Sequence, residues 1–210
     1  MITLDVHLVF LEEVLGTASS DPKIHERFIA SKAPDAPSLK EEVEALGTDE
    51  VEERAITRFP RTEDGRPMLW DYQLKGFFKD ACGMLRKGDN CKSAKLRAYK
   101  KEIDGLVFPT PRRIVLHVPE GMDEGSCQRP LRASGPQGER VALANSEALP
   151  EGTWCDFKVS TLKADLVPLI VEWLQYGFMR GIGQWRNSGK GRFACRVTDE
   201  KGKVVFSNLD

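Results

Sequence analysis

The sequence predicts an α+β fold in which an antiparallel sheet is backed by two main helices. Residues 2–10 (ITLDVHLVF) alternate apolar and polar side chains, with Ile2, Leu4, Val6 and Leu8 on one face, the period of a half-buried strand. Two later segments, MLWDYQLKGFFKDACGMLRKG and DLVPLIVEWLQYGFM, space their apolar residues as amphipathic helices do. Strand-like stretches follow each of them, so the coarse order runs strand, helix, strands, then strands, helix, strand.

After the first strand, Ser20 or Asp21 caps a short helix that carries Pro22 in its first turn and stops at Pro34. SLKEEVEALG reads as an acidic surface helix ended by Gly47. The first main helix is expected from 71 to 87, burying Leu74, Phe77, Phe78, Ala81 and Leu85 and turning basic residues outward. Residues 103–118 read as a strand, a proline-broken turn at 109–111 and a second strand. From 127 to 160 the pattern is strand, turn (Gly135, Pro136, Gly138), strand, PEGT turn and the strand WCDFKVSTL, a protruding hairpin followed by a core strand. The second main helix repeats Leu166, Leu169, Ile170, Trp173, Leu174 and Phe178, and RFACRV with KVVFS closes as a hairpin. This order fits a decorated ferredoxin-like (RRM-like) α+β fold. One domain is expected over 1–210, with an acidic helical insertion at 35–64 and a hairpin insertion at 127–150.

A chain of 210 residues with 40% hydrophobic content can build a sizeable core. It holds no run of eighteen apolar residues, and its N-terminal segment carries acids, unlike a signal peptide; a cytoplasmic protein without membrane contact is expected. The 5 cysteines are scattered and form no C-x-x-C pair, which points to reduced structural thiols and to neither a disulfide framework nor a zinc site. No metal or cofactor is expected.

The formal net charge of −1 hides an uneven distribution. Acids concentrate in 35–64, whereas 75–113 is basic through Lys75, Lys79, Arg86, Lys87, Lys92, Lys95, Arg97, Lys100, Lys101, Arg112 and Arg113. A second basic cluster holds Arg180, Arg186, Lys190, Arg192 and Arg196. Convergence of the two would make a nucleic-acid groove, while ordinary solvated helix faces would show the same composition. Charge alone leaves both readings open.

The stretch from Gly181 to Gly191 (GIGQWRNSGKG) sets two G-x-G units around a polar, basic centre. Such a loop takes positive φ angles and brings backbone N–H groups near an anion. It follows a helix, so it is not a dinucleotide fingerprint, and Gly-Lys is not followed by Ser or Thr, so it is not a P-loop. From these residues a structural loop and a phosphate-binding loop are equally open.

The loop resembles the signature of the RAMP superfamily of CRISPR-associated RNA-binding proteins: G-h-G, five residues, then G-h-G between the last helix and last strand. Gly181, Gly183, Gly189 and Gly191 supply its glycines, with Ile182 and Lys190 at the h positions. Trp70–Lys79 is similar to the segment that starts the first major helix in the backbone-subunit branch; Leu74, Lys75 and Gly76 are kept, and Asp71, Tyr72 and Gln73 replace small residues. QRPLRASGPQGERVALANSEALPEGTWCDFKV resembles that branch's thumb hairpin. The resemblance implies a protein that holds a single-stranded RNA backbone, alone in repeated copies as a homo-oligomer or with other RAMP-like subunits. Single-stranded DNA is the alternative strand. Lys75, Lys79, Arg129, Arg132, Trp185, Arg186, Lys190 and the four loop glycines are then the candidate contacts, with Trp185 free to stack on a base or to pack beneath the loop.

Superfamily members that cleave RNA use a histidine without metal, or an aspartate after the first strand. His25 and Asp21 are the matching candidates; Asp21 before Pro22 is equally explained as a helix cap, and His7 and His117 read as strand residues with structural roles. The sequence therefore carries three function classes: a binding module, an endoribonuclease, and an assembly subunit without nucleic acid.

Overall fold

The computed structural model describes residues 1–19, 56–135 and 138–209, with the backbone alone at 19 and 131–143. In chain order the elements begin with β1 (Ile2–Phe10), β2 (Val14–Leu15), β3 (Ala18–Ser19), β4 (Thr57–Arg58), β5 (Met68–Trp70) and α1 (Asp71–Leu85). They continue with α2 (Tyr99–Leu106), β6 (Val107–Thr110), β7 (Arg113–Val115), β8 (Gly125–Gly135) and β9 (Gly138–Leu149). The chain closes with β10 (Trp154–Thr161), α3 (Val167–Arg180), β11 (Phe193–Asp199) and β12 (Val204–Ser207).

The main sheet has the order β12-β11-β1-β10-β6, with every pairing antiparallel. Without β12 this is the interleaved order of a ferredoxin-like fold, in which each helix carries the chain between strands that are not sheet neighbours. β1 is central because both of its edges are paired, with β10 and with β11; Leu4, Val6, Leu8 and Phe10 are buried on the helix side and Asp5 and His7 lie on the other. Full burial of each inward side chain is worth about 1.5–3 kcal/mol before conformational entropy is counted.

α1 buries Leu74, Phe77, Phe78, Ala81 and Cys82, the i, i+3, i+4, i+7 stripe its sequence carries, and α3 buries Leu169, Ile170, Trp173 and Leu174. The two helices meet over the sheet where Phe78 tilts against Trp173 at 5.7 Å and Phe77 meets Phe193 edge-on at 5.3 Å. Glu172 on α3 fastens the turn at Lys92–Lys95. Its carboxylate accepts the Lys92 and Ser93 N–H groups at 2.6 and 2.9 Å and the Ser93 hydroxyl at 2.5 Å, while Trp173 Nε1 donates to that hydroxyl at 2.9 Å. Cys155 and Cys195 are free buried thiols on the sheet, and burial pushes the Cys195 thiol up to about 12.

β9 pairs with β8 along its length and with β2 and β4 at its base, so the hairpin projects from a second, smaller sheet. Arg61 ties that base together by meeting both Glu124 and Glu147, and Glu147 also accepts the Phe59 N–H at 2.7 Å. Hydrogen bonding to Arg61 holds the Glu124 carboxyl below the usual carboxylate range. No helix among the described residues is long and apolar enough to cross a membrane.

Three expectations are corrected. Residues 103–106 are not strand but the last turn of α2, a helix of 8 residues that buries only Ile103 and so shows no helical period in sequence. Pro109 does not break the chain; it sits within β6 opposite Val159, tolerated because β6 is the sheet edge, and the interruption comes at Pro111. The first main helix ends at Leu85 rather than 87. The short helix before Pro34 and most of the acidic segment lie outside the described residues.

Two glycines test the packing in opposite directions. A Cβ on Gly177 of α3 would stand 2.0 Å from the Phe193 ring, whereas one on Gly76 of α1 meets nothing within 4 Å. Gly177→Ala is expected to lose about 1–3 kcal/mol by overpacking, and Gly76→Ala to gain about 0.5–1 kcal/mol by stiffening the unfolded chain, both read from thermal melts.

Candidate nucleic-acid interface

The loop between α3 and β11 is shaped by backbone packed on backbone. All four of its glycines have positive φ, from +70° to +89°. Gly181 ends α3 by donating its N–H to Gly177 O at 3.1 Å. Ile182 N–H then donates to Gly191 O at 2.9 Å, and Gly191 N–H to Glu13 O at 2.8 Å, which clasps the two ends of the loop and ties them to the β1–β2 connection. A Cβ on Gly191 would lie 1.9 Å from Ile182 O, and one on Gly183 would lie 2.9 Å from Leu15 O. Gly181, Gly183 and Gly191 therefore have a reason to be glycine inside the protein itself. Gly189 differs: its nearest neighbour for a Cβ is Arg192 Nε at 3.6 Å.

The clasp throws residues 184–188 outward. Trp185 sits in the left-handed region at φ 53°, a strained place for an indole, and its ring is partly exposed. Arg180, Gly183, Gln184, Trp185, Arg186 and Asn187 line a groove of about 360 Å³.

Arg129 of β8 contacts two of the residues that line this groove. Its guanidinium lies 5.3 Å from the Trp185 ring centre and donates through Nη2 to Gln184 Oε1 at 2.5 Å. The residue is only 8% exposed, and its Nη1 is buried with no hydrogen-bond partner among the described residues. Hairpin arginines are seldom core, so this burial is a finding the sequence did not announce.

The remaining cations are shared out unequally. Asp80 Oδ2 accepts from Arg186 Nη1 at 2.7 Å and from Arg180 Nε at 3.1 Å, so two guanidinium groups stand over one carboxylate. Arg180 also donates to Asn187 Oδ1 at 2.7 Å. Lys190 is paired with Glu13 at 2.7 Å, which keeps its ammonium charged well above the usual lysine range, and Arg192 with Glu12 at 3.0 Å.

Sequence-predicted residues thus fall into three groups. Arg129, Gly181, Gly183, Trp185, Arg186, Gly189, Lys190 and Gly191 come together at the loop. Lys75 and Lys79 occupy the flank of α1 that faces α2, where Asp104 takes both: its backbone oxygen at 3.1 Å from Lys75 and its carboxylate at 2.5 Å from Lys79. Arg132 lies on β8 beyond the described side chains, and Asp21 and His25 lie outside the described residues. Arg180 of the second basic cluster and Gln184 and Asn187 of the glycine-rich stretch also line the groove, and Asp80, which no local motif marks, holds its two arginines.

The clasp makes a testable distinction. Gly191→Ala is expected to lower the melting temperature sharply, because a backbone carbonyl must move. Gly189→Ala should cost about 1 kcal/mol, the strain of a left-handed alanine in open space. Equal losses in thermal melts would contradict the clasp.

Neither a family model nor a curated protein matches the chain. Its structure is similar to a chain in the cryo-EM structure of the Type III-B Cmr-beta bound to cognate target RNA, with a TM-score of 0.57 at 11% identity. The match covers 94% of this chain and 60% of that one, so this chain spans less than two thirds of its neighbour's length. At that identity the likeness establishes a shared fold, the decorated ferredoxin-like architecture that the order of elements in the sequence predicts.

Proposed function

We propose that this protein holds a single-stranded RNA backbone at the Gly181–Gly191 loop and the adjoining side of the β8–β9 hairpin, as one subunit of a larger RNA-bound assembly. Arg129 carries the reading. Its guanidinium lies against Trp185 and Gln184, which line the groove, so a phosphate or base oxygen bound there feels its charge at short range. Trp185 offers a ring on which a base can stack, a contact worth about 1–3 kcal/mol. Arg180 and Arg186 together leave one positive charge after Asp80 is counted, placed where a phosphate would meet it. The fold shared with a chain of RNA-bound Cmr-beta supports the same class of partner. Lys75 and Lys79, already engaged by Asp104, act in this reading through the long-range field rather than by direct contact.

Fluorescence anisotropy with a labelled single-stranded RNA tests the reading. Log affinity is expected to fall linearly with log salt, because bound phosphates release counterions. Arg129→Ala should weaken binding about tenfold or more, in line with the ~1–3 kcal/mol of a lost specific contact. The Arg186→Ala, Lys190→Ala pair should weaken it by a similar factor and flatten the salt slope by roughly one unit, almost all of it from Arg186, since Lys190 is neutralised by Glu13. Melting temperatures of these variants identify any loss that comes from unfolding. Flat salt dependence or no binding at low salt contradicts the proposal, and equal affinity for single-stranded DNA would remove RNA as the preferred strand. Gel analysis of the same RNA with and without magnesium reports whether it is cut.

A further inference from the structure

The face of the main sheet turned away from the helices carries a second arrangement of side chains, with no part in the loop. Cα partners across the strands place Thr110, Lys158, Asp5 and Thr198 in one row, and Asp156, His7 and Arg196 in the next. These rows, Thr110 apart, floor an open groove of about 560 Å³, large enough for a nucleotide.

Its charges are nearly all spoken for. Lys158 Nζ lies 2.9 Å from Asp5 Oδ1, and His7 Nδ1 lies 2.7 Å from Asp156 Oδ1. The second contact fixes the imidazole orientation and leaves Nε2 as the free nitrogen. Trp154 braces the ring from the side at a centroid distance of 5.5 Å and is itself stacked on His117 at 4.0 Å. Arg196, opposite His7 on β11, is exposed and has no ion-pair partner among the described residues. Side chains directly opposite on antiparallel strands stand about 5 Å apart at Cβ, close enough for the Arg196 guanidinium and His7 Nε2 to reach one bound group.

We propose that this groove binds a phosphate monoester, held between Arg196 and protonated His7. With His7 neutral, the two carboxylates and two cations of the groove balance; its protonation leaves one surplus positive charge and adds a second donor beside Arg196. A dianion matches two cationic donors. A phosphodiester strand crossing the sheet would instead have to pass the carboxylates of Asp5 and Asp156 without that compensation. For a ligand that stays a dianion, affinity therefore rises as pH falls and His7 takes up its proton, and by linkage the bound dianion raises the titration midpoint of His7; a phosphate monoester, which itself protonates at about pH 6, binds best between the two titrations. Asp5, Asp156, Lys158, Arg196 and His117 are the other titratable or charged groups facing this pair.

The test is NMR titration of the imidazole signals in the full chain, which has 3 histidines, so a His7→Asn variant assigns the one in the groove. Sulfate is the first probe because it stays a dianion throughout the range. Saturating sulfate is expected to raise the His7 midpoint by about one unit, a tenfold preference for the protonated form. The Arg196→Ala variant, at an exposed position, should lose that rise while keeping the RNA affinity of the loop. AMP and a 5′-phosphorylated oligoribonucleotide distinguish a free nucleotide from a strand end as the source of the phosphate. An unmoved His7 midpoint, an equal rise in Arg196→Ala, or a 5′-hydroxyl oligoribonucleotide acting as well as the phosphorylated one would each overturn the proposal.

Discussion

Between Ile182 and Gly191 two passes of the chain come so close that a single Cβ would lie 1.9 Å from a carbonyl oxygen. That contact sets where α3 stops and where β11 starts. Through the Gly191 N–H to Glu13 O bond it also sets how the β1–β2 connection lies against both. The buried Ile182 side chain locks the same point into the core. Trp185 and Arg186 then have one place to be, with Asp80 of α1 and Arg129 of β8 positioned to receive them. The loop surface is therefore built from four separate parts of the chain: backbone bonds join the loop to the β1–β2 connection, and the side chains of Asp80 and Arg129 join it to α1 and β8.

Glycine in such a loop has two readings, close approach to a ligand or close approach to the protein itself. The distances at Gly181, Gly183 and Gly191 satisfy the second, and they do so without excluding a phosphate above the loop. The chemistry of the site rests on the polar side chains that the clasp presents, and on the unequal pairing of its cations. Lys190 and Arg192 are matched one to one by Glu13 and Glu12, whereas Arg180 and Arg186 share Asp80.

How much of this was legible in the sequence follows from the range of each interaction. β1, α1, α3, the β8–β9 hairpin and the terminal β11–β12 hairpin could be read because each repeats its pattern over several turns or carries its own turn residues. α2 could not, since one buried side chain makes no period. Basic residues were visible, but their partners were not. Lys75 and Lys79 looked free until Asp104 was brought beside them, and Arg129 meets Gln184 across 55 positions of sequence. The pairing of His7 with Asp156 spans 149 positions, so a histidine that reads as an ordinary strand residue turns out to have an oriented ring.

The central place of β1 has a consequence for how the protein is made. Its two sheet neighbours, β10 and β11, begin at Trp154 and Phe193, so β1 cannot take either permanent partner until the chain as far as those strands has been made. Contacts of such long sequence separation slow folding, because loop closure must be met before the contacts repay it. During that interval β1 is an apolar segment with both edges open, the kind of strand that aggregates or recruits chaperones. A shortened product lacking β11 would stay in that condition: the sheet would be missing one side of its middle strand, and the Phe193 ring that lies against Phe77 and Gly177 would be gone.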